Sequence, residues 1–411
     1  MFMLNPFIFD HNPQPKMTAL AEPGPKQRIQ SIDILRGLIM LIMAIDHTRD
    51  YFHLGGINPT NLAVTTPFLF FTRWITHFCA PLFVFLSGIS AHLAGTRRTR
   101  PQLSAFLIKR GLWLVFIEVV VITFALTLDP GYHLIIFQVI WAIGTSMIVL
   151  GLLVWLPLPA IAAIGVVLFF GHDILDHINL PQSGASSVEW KILFTAQGSI
   201  FPLDKTHFLG AFYAVLPWTG VMVLGYVAGV MFRSSFGQAR RRGNLLIAGL
   251  ALVGLFIILR AFNIYGDPAP WSAQKSTALT IISFFNVSKY PPSLIYLGMT
   301  IGPGLLLLRA FEGVDNRITR LFIVYGTVPF FYYVLHFYLI RVYNLILFFA
   351  MGYTGKDIAN PKGFAFVPAT FGFNLFGVYV VWFCVIAALY LPCRWYSRYK
   401  QTHRQWWLSY L

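Results

Sequence analysis

Ten apolar runs of about twenty residues divide this chain, and about twenty is the length a helix needs to cross the hydrocarbon of a bilayer. They fall at roughly 30–52, 67–95, 104–128, 134–156, 158–174, 208–232, 244–262, 292–310, 321–350 and 371–393. In lipid every backbone N–H and C=O must be satisfied internally, so runs of this length imply helices. Of the 411 residues, 57% are hydrophobic and only 11% charged, a balance unsuited to a soluble surface. The expected fold is all-α: a polytopic integral membrane protein of about ten transmembrane helices.

Thirty basic residues against fifteen acidic ones give a net charge of +15. In a soluble protein that balance would suggest nucleic acid. Here the basic residues sit in alternate connections, and no basic-aromatic stretch lies in a soluble domain, so no nucleic-acid partner is expected. The positive connections are the N-terminus (Lys16, Lys26, Arg28), Arg97–Arg110, Arg233–Arg242, Arg309–Arg320 and the C-terminus. Opposite connections are acidic or mixed, with Asp173, Asp204, Asp267 and Asp357. This bias places both termini in the cytoplasm. Residues 1–27, with four prolines after residue 12, read as a disordered cytoplasmic tail, and 28–411 as one transmembrane domain. The N-terminus lacks the order of segments that marks a removed signal peptide. Cys79, Cys384 and Cys393 fall within or at the ends of apolar runs, with no metal or disulfide spacing. In the outer connections, Trp190–Phe194 reads as an amphipathic surface segment, and Thr280–Val287 is apolar but too short to span.

Charge within the spans is where function is expected. The first run carries Asp33 and Arg36 near one end and Asp46, His47, Arg49 and Asp50 near the other. Eleven helical steps take Arg36 to His47, close to three whole turns, so both lie on one stripe ~16 Å apart. Asp50, three residues beyond His47, can share its face. A carboxylate that orients a histidine is the usual setting for a general base, so Asp46 or Asp50 is expected to orient His47. The plainer alternative is that these charges are interfacial anchors. In the second run Pro81 frees the carbonyl of His77, one turn after Arg73, and both can line a cavity. Glu118 sits mid-span and needs a partner or water. His336, with Gln138, Arg260, Arg341 and Asn344, completes a set able to form a polar chamber. Lys289 and Tyr290, in Lys-Tyr-Pro-Pro-Ser, read as an outer acceptor contact or a rigid turn. No Walker loop, GxSxG, HExxH or CxxC pair is present.

SIDILRGLIMLIMAIDH followed by PLFVFLSGISAHL resembles the membrane acyltransferase superfamily. FFNVSKYPPSLIYLGMTIGPGLLL, GTVPFFYYVLHFYLI and the C-terminal CRWYSRYKQTHRQWWLSYL are similar to a bacterial family related to the catalytic region of heparan-α-glucosaminide N-acetyltransferase. The likeness spans about 28–411. It implies acyl transfer, with cytoplasmic acetyl-CoA as donor, no metal, a glycan or lipid-linked sugar on the periplasmic face as acceptor, and residence in a bacterial inner membrane. The acyltransferase-three branch carries an Arg and a catalytic His separated by ten intervening residues on its first span, which Arg36 and His47 match. The animal N-acetyltransferase has Asn at that His and a catalytic His in the following outer loop, for which His53 and His77 are imperfect counterparts. In the reading this implies, His47 is the general base, Asp46 and Asp50 are its partners, and Arg36 with Asp33 meets the CoA phosphates. A transporter or flippase is the rival from another class, and a non-catalytic scaffold the third.

Overall fold

The computed structural model describes residues 29–178, 185–195, 199–358, 364–403, 405 and 408; the tail expected at 1–27 lies outside the described residues. α1 (Gln30–Phe52) is followed by α2 (Pro67–Thr76), α3 (Cys79–Gly95), α4 (Arg100–Ile117), a π-turn at Glu118–Ile122 and α5 (Thr123–Thr127). Then come β1 (Leu134–Phe137), α6 (Val139–Leu153), α7 (Leu158–Gly171), the short α8 (Ala185–Trp190), β2 (Ser199–Pro202), β3 (Phe208–Ala211) and α9 (Val215–Ala228). α10 (Gln238–Phe262), α11 (Thr277–Phe285), α12 (Leu294–Ala310), α13 (Arg317–Gly326), α14 (Pro329–Ala350) and α15 (Leu375–Thr402) follow.

Each of the ten apolar runs holds helix, and the chain is an all-α polytopic membrane protein. Among the described residues, six helical stretches are long and apolar enough to cross a bilayer by length and composition alone. α6 and α12 are shorter, at 15 and 17 residues, and α1 carries five charged residues besides its histidine. The outermost helices present bare apolar surface: Ile247, Phe262, Phe376 and Leu391 are each about 70% exposed or more. Water would not tolerate so continuous a display, whereas lipid is its natural solvent.

α1 is the hub, packed against α2, α3, α12, α13, α14 and α15. Its tightest neighbour is α13. A Cβ on Gly37 would overlap the backbone carbonyl of Phe322, and one on Gly326 would overlap that of Asp33, so both glycines are needed for the backbones to touch.

Two expected spans are broken rather than continuous. The run 67–95 divides at His77–Phe78, and the run 321–350 at Thr327–Val328. In each case a proline sits in the first turn of the second helix, Pro81 in α3 and Pro329 in α14, where a missing N–H costs least. A third difference is the small sheet, strand order β1-β3-β2, with β1 parallel and β2 antiparallel to β3. Leu134–Phe137 and Phe208–Ala211 were expected to begin spans four and six. They are apolar, so hydropathy cannot separate them from helix, but their ladders lie before α6 and α9 and carry Gln138, Phe212 and Tyr213 to a cavity wall. Gly326→Ala is expected to lower the melting temperature in detergent, by an overpacking cost of about 1–3 kcal/mol. Gly254→Ala, whose Cβ would meet nothing within 4 Å, should not lower it.

Candidate functional site

Two cavities open at opposite ends of α1. One, of about 660 Å³, is lined by Asp46, His47, Arg49, Asp50, Arg73, His77, Gln138, Tyr213, Lys289 and Tyr290 among others. The other, of about 1090 Å³, is lined by Asp33, Arg36, Ser90, Arg97, Arg233, Arg241 and Glu312 among others. Each helix break serves one of them. His77, at the α2–α3 break, lines the first. Gly326, at the α13–α14 break, offers its carbonyl to Arg36 of the second at 3.3 Å. Non-helical backbone at membrane depth is tolerated where it lines a cavity or is buried in protein; the first break lines a cavity, and the second is buried beside one.

His47 has a histidine for a partner. Its Nδ1 lies 2.6 Å from Nε2 of His336, whose own Nδ1 is 3.2 Å from the carbonyl oxygen of Tyr332. A carbonyl only accepts, so His336 Nδ1 carries hydrogen and, in the neutral ring, Nε2 is the acceptor. His47 Nδ1 therefore donates, and His47 Nε2 is left with the lone pair. Phe337 stacks on the His47 ring at 4.3 Å between centroids. The imidazole is thus held in one tautomer and one orientation. Neither Asp46 nor Asp50 hydrogen-bonds it among the described residues, which differs from the orienting role expected for them.

The carboxylates instead form a chain of alternating charge. Asp50 pairs with Arg49 at 2.7 Å, Arg49 with Asp46 at 2.7 Å, and Asp46 with Arg73. Arg73 also donates to Thr76 Oγ1 at 3.2 Å. Asp46 is the shared member, drawn away from His47 by two guanidinium groups. At the break, the His77 carbonyl freed by Pro81 accepts from Tyr296 Oη at 2.8 Å, while its ring Nδ1 has no partner.

Lys289 and Tyr290 reach the same cavity from the loop before α12, with the Lys289 ammonium over the Tyr213 and Tyr290 rings at 5.7 and 5.1 Å. Burial pushes the Tyr290 phenol up, but Lys289 and Arg73 more than offset it, so it sits below its ordinary value. The loop is rigidly tied. Asp267 accepts from Ser288 N and Ser293 Oγ, both at 2.8 Å. Asp173 accepts from Leu294 N at 2.8 Å. Arg260, expected in a polar chamber, donates to the carbonyls of Ala269, Ser283, Phe284 and Asn286. Arg341 and Asn344 likewise tie down Ala365 and Phe366.

At the other end, Arg36 donates to Asp33 at 3.2 Å and to Ser90 Oγ at 3.0 Å. Arg241 pairs with Glu312, and Arg233 donates from Nε to His92 Nε2 at 2.8 Å. Four arginines against two carboxylates leave this cavity with an excess of positive charge.

Glu118 is the expected cavity residue that the structure uses differently. It is fully buried, and its Oε1 accepts from Gln138 N, just before α6, at 2.8 Å. It therefore caps the start of α6, where backbone N–H groups lack helical partners, and a π-turn begins at this residue. His336 was expected in the chamber but lies behind His47, with 0% exposure. Arg97, Arg233 and Arg241 were read only as topology signals; their place in a cavity depends on contacts far apart in sequence. Among the described residues, no group of three or more His, Cys, Asp or Glu side chains is arranged to hold a metal ion.

Residues 28–260 match the family model described as heparan-alpha-glucosaminide N-acetyltransferase, catalytic. No curated protein matches the chain. The matched stretch includes Arg36, His47 and Arg73, and stops short of Lys289, Tyr290 and His336. Asp46→Asn should destabilise the folded protein by about 3–5 kcal/mol, because it leaves two buried guanidinium groups short of a partner. Asp50→Asn, at the half-exposed end of the chain, should cost about 0–1 kcal/mol. Unfolding of the purified variants in detergent checks both.

Proposed function

Because the chain belongs to the heparan-alpha-glucosaminide N-acetyltransferase catalytic family, a family of membrane acetyltransferases, we propose that it moves an acetyl group across the bilayer. The donor is acetyl-CoA at the arginine-rich end, and the acceptor is the amine or hydroxyl of a glycan or lipid-linked sugar at the His47 end. The observation that carries this reading is one helix bearing Arg36 in an arginine-rich cavity and His47 in a second cavity at its other end. The positive-charge bias assigns the arginine-rich end to the cytoplasm, where CoA is available.

Arg36, Arg97, Arg233 and Arg241 fit the phosphates of CoA, since guanidinium forks match phosphate oxygens. Bound there, acetyl-CoA supplies a thioester carbon for attack and a thiolate as leaving group. His47 Nε2 takes the proton from the acceptor nitrogen or oxygen as the new bond to the acetyl carbon forms and the carbon–sulfur bond breaks. The same nitrogen then returns the proton to the departing sulfur. His336 keeps Nδ1 of His47 engaged, so that Nε2 remains the basic atom. Lys289 and Tyr290, fixed by the Asp267 and Asp173 ties, contact the acceptor.

The two broken helices also suit a transporter, whose sites are commonly built from discontinuous helices. The assay that separates the readings uses protein in nanodiscs with radiolabelled acetyl-CoA and a pool of amino sugars and envelope glycans. Label transfer is expected, with His47→Ala lowering it ~10²–10⁴-fold and acidification lowering it by protonating the base. Arg36→Gln should weaken CoA binding roughly 10- to 100-fold, the loss of one charge-assisted contact. His336→Ala should lower kcat while leaving the KM for acetyl-CoA unchanged. Folded protein that neither binds nor cleaves acetyl-CoA, yet carries sugar flux in proteoliposomes, would overturn the proposal in favour of transport.

A further inference from the structure

A third cavity lies beside the acetyl-transfer machinery, at the arginine-rich end. It measures about 170 Å³ and is walled by the end of α3, the start of α4, the α6–α7 turn and the end of α9. Its polar lining consists of His92, Arg98, Arg100, Arg233 and Tyr226, and no carboxylate is among its lining residues. Three exposed guanidinium groups around so small a space give it a positive potential that favours an anion.

His92 forms the buried floor of the cavity. It is 3% exposed, and Arg233 donates from Nε to its Nε2 at 2.8 Å, which holds that guanidinium at the cavity wall. Arg98 is already preset: it donates to the Ala94 carbonyl at 2.9 Å and lies over the Phe106 ring at 4.3 Å.

The other walls are apolar: Leu103, Val154, Leu156, Leu158 and Ile161. Trp155, between two of these, is 52% exposed and donates to Ser104 Oγ at 3.3 Å. An exposed tryptophan beside a basic cluster marks headgroup depth in a bilayer. A phosphate with acyl chains attached satisfies both kinds of wall, which a soluble phosphate does not. We propose that this cavity binds the headgroup phosphate of an anionic phospholipid from the arginine-rich leaflet. Arg233 lines this cavity and the Arg36 cavity alike, so a bound headgroup fixes one wall of the donor site.

The test uses full-length protein, delipidated in detergent and titrated with phosphatidylglycerol or phosphatidylcholine, with bound lipid counted by native mass spectrometry. Preferential retention of phosphatidylglycerol is expected. Arg98→Gln/Arg100→Gln should weaken it roughly 10- to 30-fold, the effect of two interfacial charges, and Arg98→Lys/Arg100→Lys should restore most of it. A single size-exclusion peak and unchanged helical circular dichroism serve as the folding control, and Arg100→Gln alone replaces the double variant if that one fails it. Equal retention of both lipids, or anionic-lipid binding that ignores these variants in folded protein, would overturn the proposal. So would competition by CoA but not by dephospho-CoA, since the site would then belong to the donor's 3′-phosphate.

Discussion

Ionisable groups inside a bilayer are costly unless paired, hydrogen-bonded or wetted, and α1 carries six of them on 23 residues. The surrounding helices are arranged around that cost. At one end Arg73 reaches Asp46 across from α2, and at the other Ser90 and Gly326 converge on Arg36. Between the two ends α1 is apolar and closely covered, with Ile39, Met40 and Ala44 buried. The same requirement accounts for the α13–α14 break beside α1. A straight helix has no free carbonyl to offer, whereas a break does, and Gly326 gives its carbonyl to Arg36 directly. The glycine contact between α1 and α13 brings that carbonyl within reach.

The orientation of the His47 ring depends on a similar choice of partners. Asp46 is next to His47 in sequence, but two guanidinium groups claim it. The imidazole is left to His336, and that chain of donors ends on a backbone carbonyl, which fixes the direction of every hydrogen in it. A carboxylate in the place of His336 would also orient the ring, but it would bring another charge into a dry interior. A neutral histidine orients without that charge. The ion chain nearby ties the end of α1 to α2, and Lys289 reaches the same cavity from the loop before α12.

Much of this was legible in the sequence. The apolar runs located the helices, because period and length are local properties. The family was legible too, from the motif around Arg36 and His47, since one continuous segment carries it. The freed carbonyl of His77 followed from Pro81 alone. What sequence could not supply was pairing over distance. His336 lies 289 positions from His47, and nothing local says that its ring, rather than Asp46 or Asp50, would meet it. Glu118 read as a cavity carboxylate because the π-turn that begins at it leaves no pattern. β1 and β3 read as helix because both are apolar. The arginines of the Arg36 cavity were visible, but as topology signals, and that reading was incomplete rather than misplaced.

The central claim is that the two cavities at the ends of α1 are the donor and acceptor halves of one site. Cryo-electron microscopy of the protein in nanodiscs with CoA bound tests it most directly. The account predicts phosphate density against Arg36, Arg97, Arg233 and Arg241, with the pantetheine arm running along α1 and its sulfur facing His47 Nε2. CoA density in the His47 cavity alone, or an arm that leaves the protein without approaching His47, would contradict it.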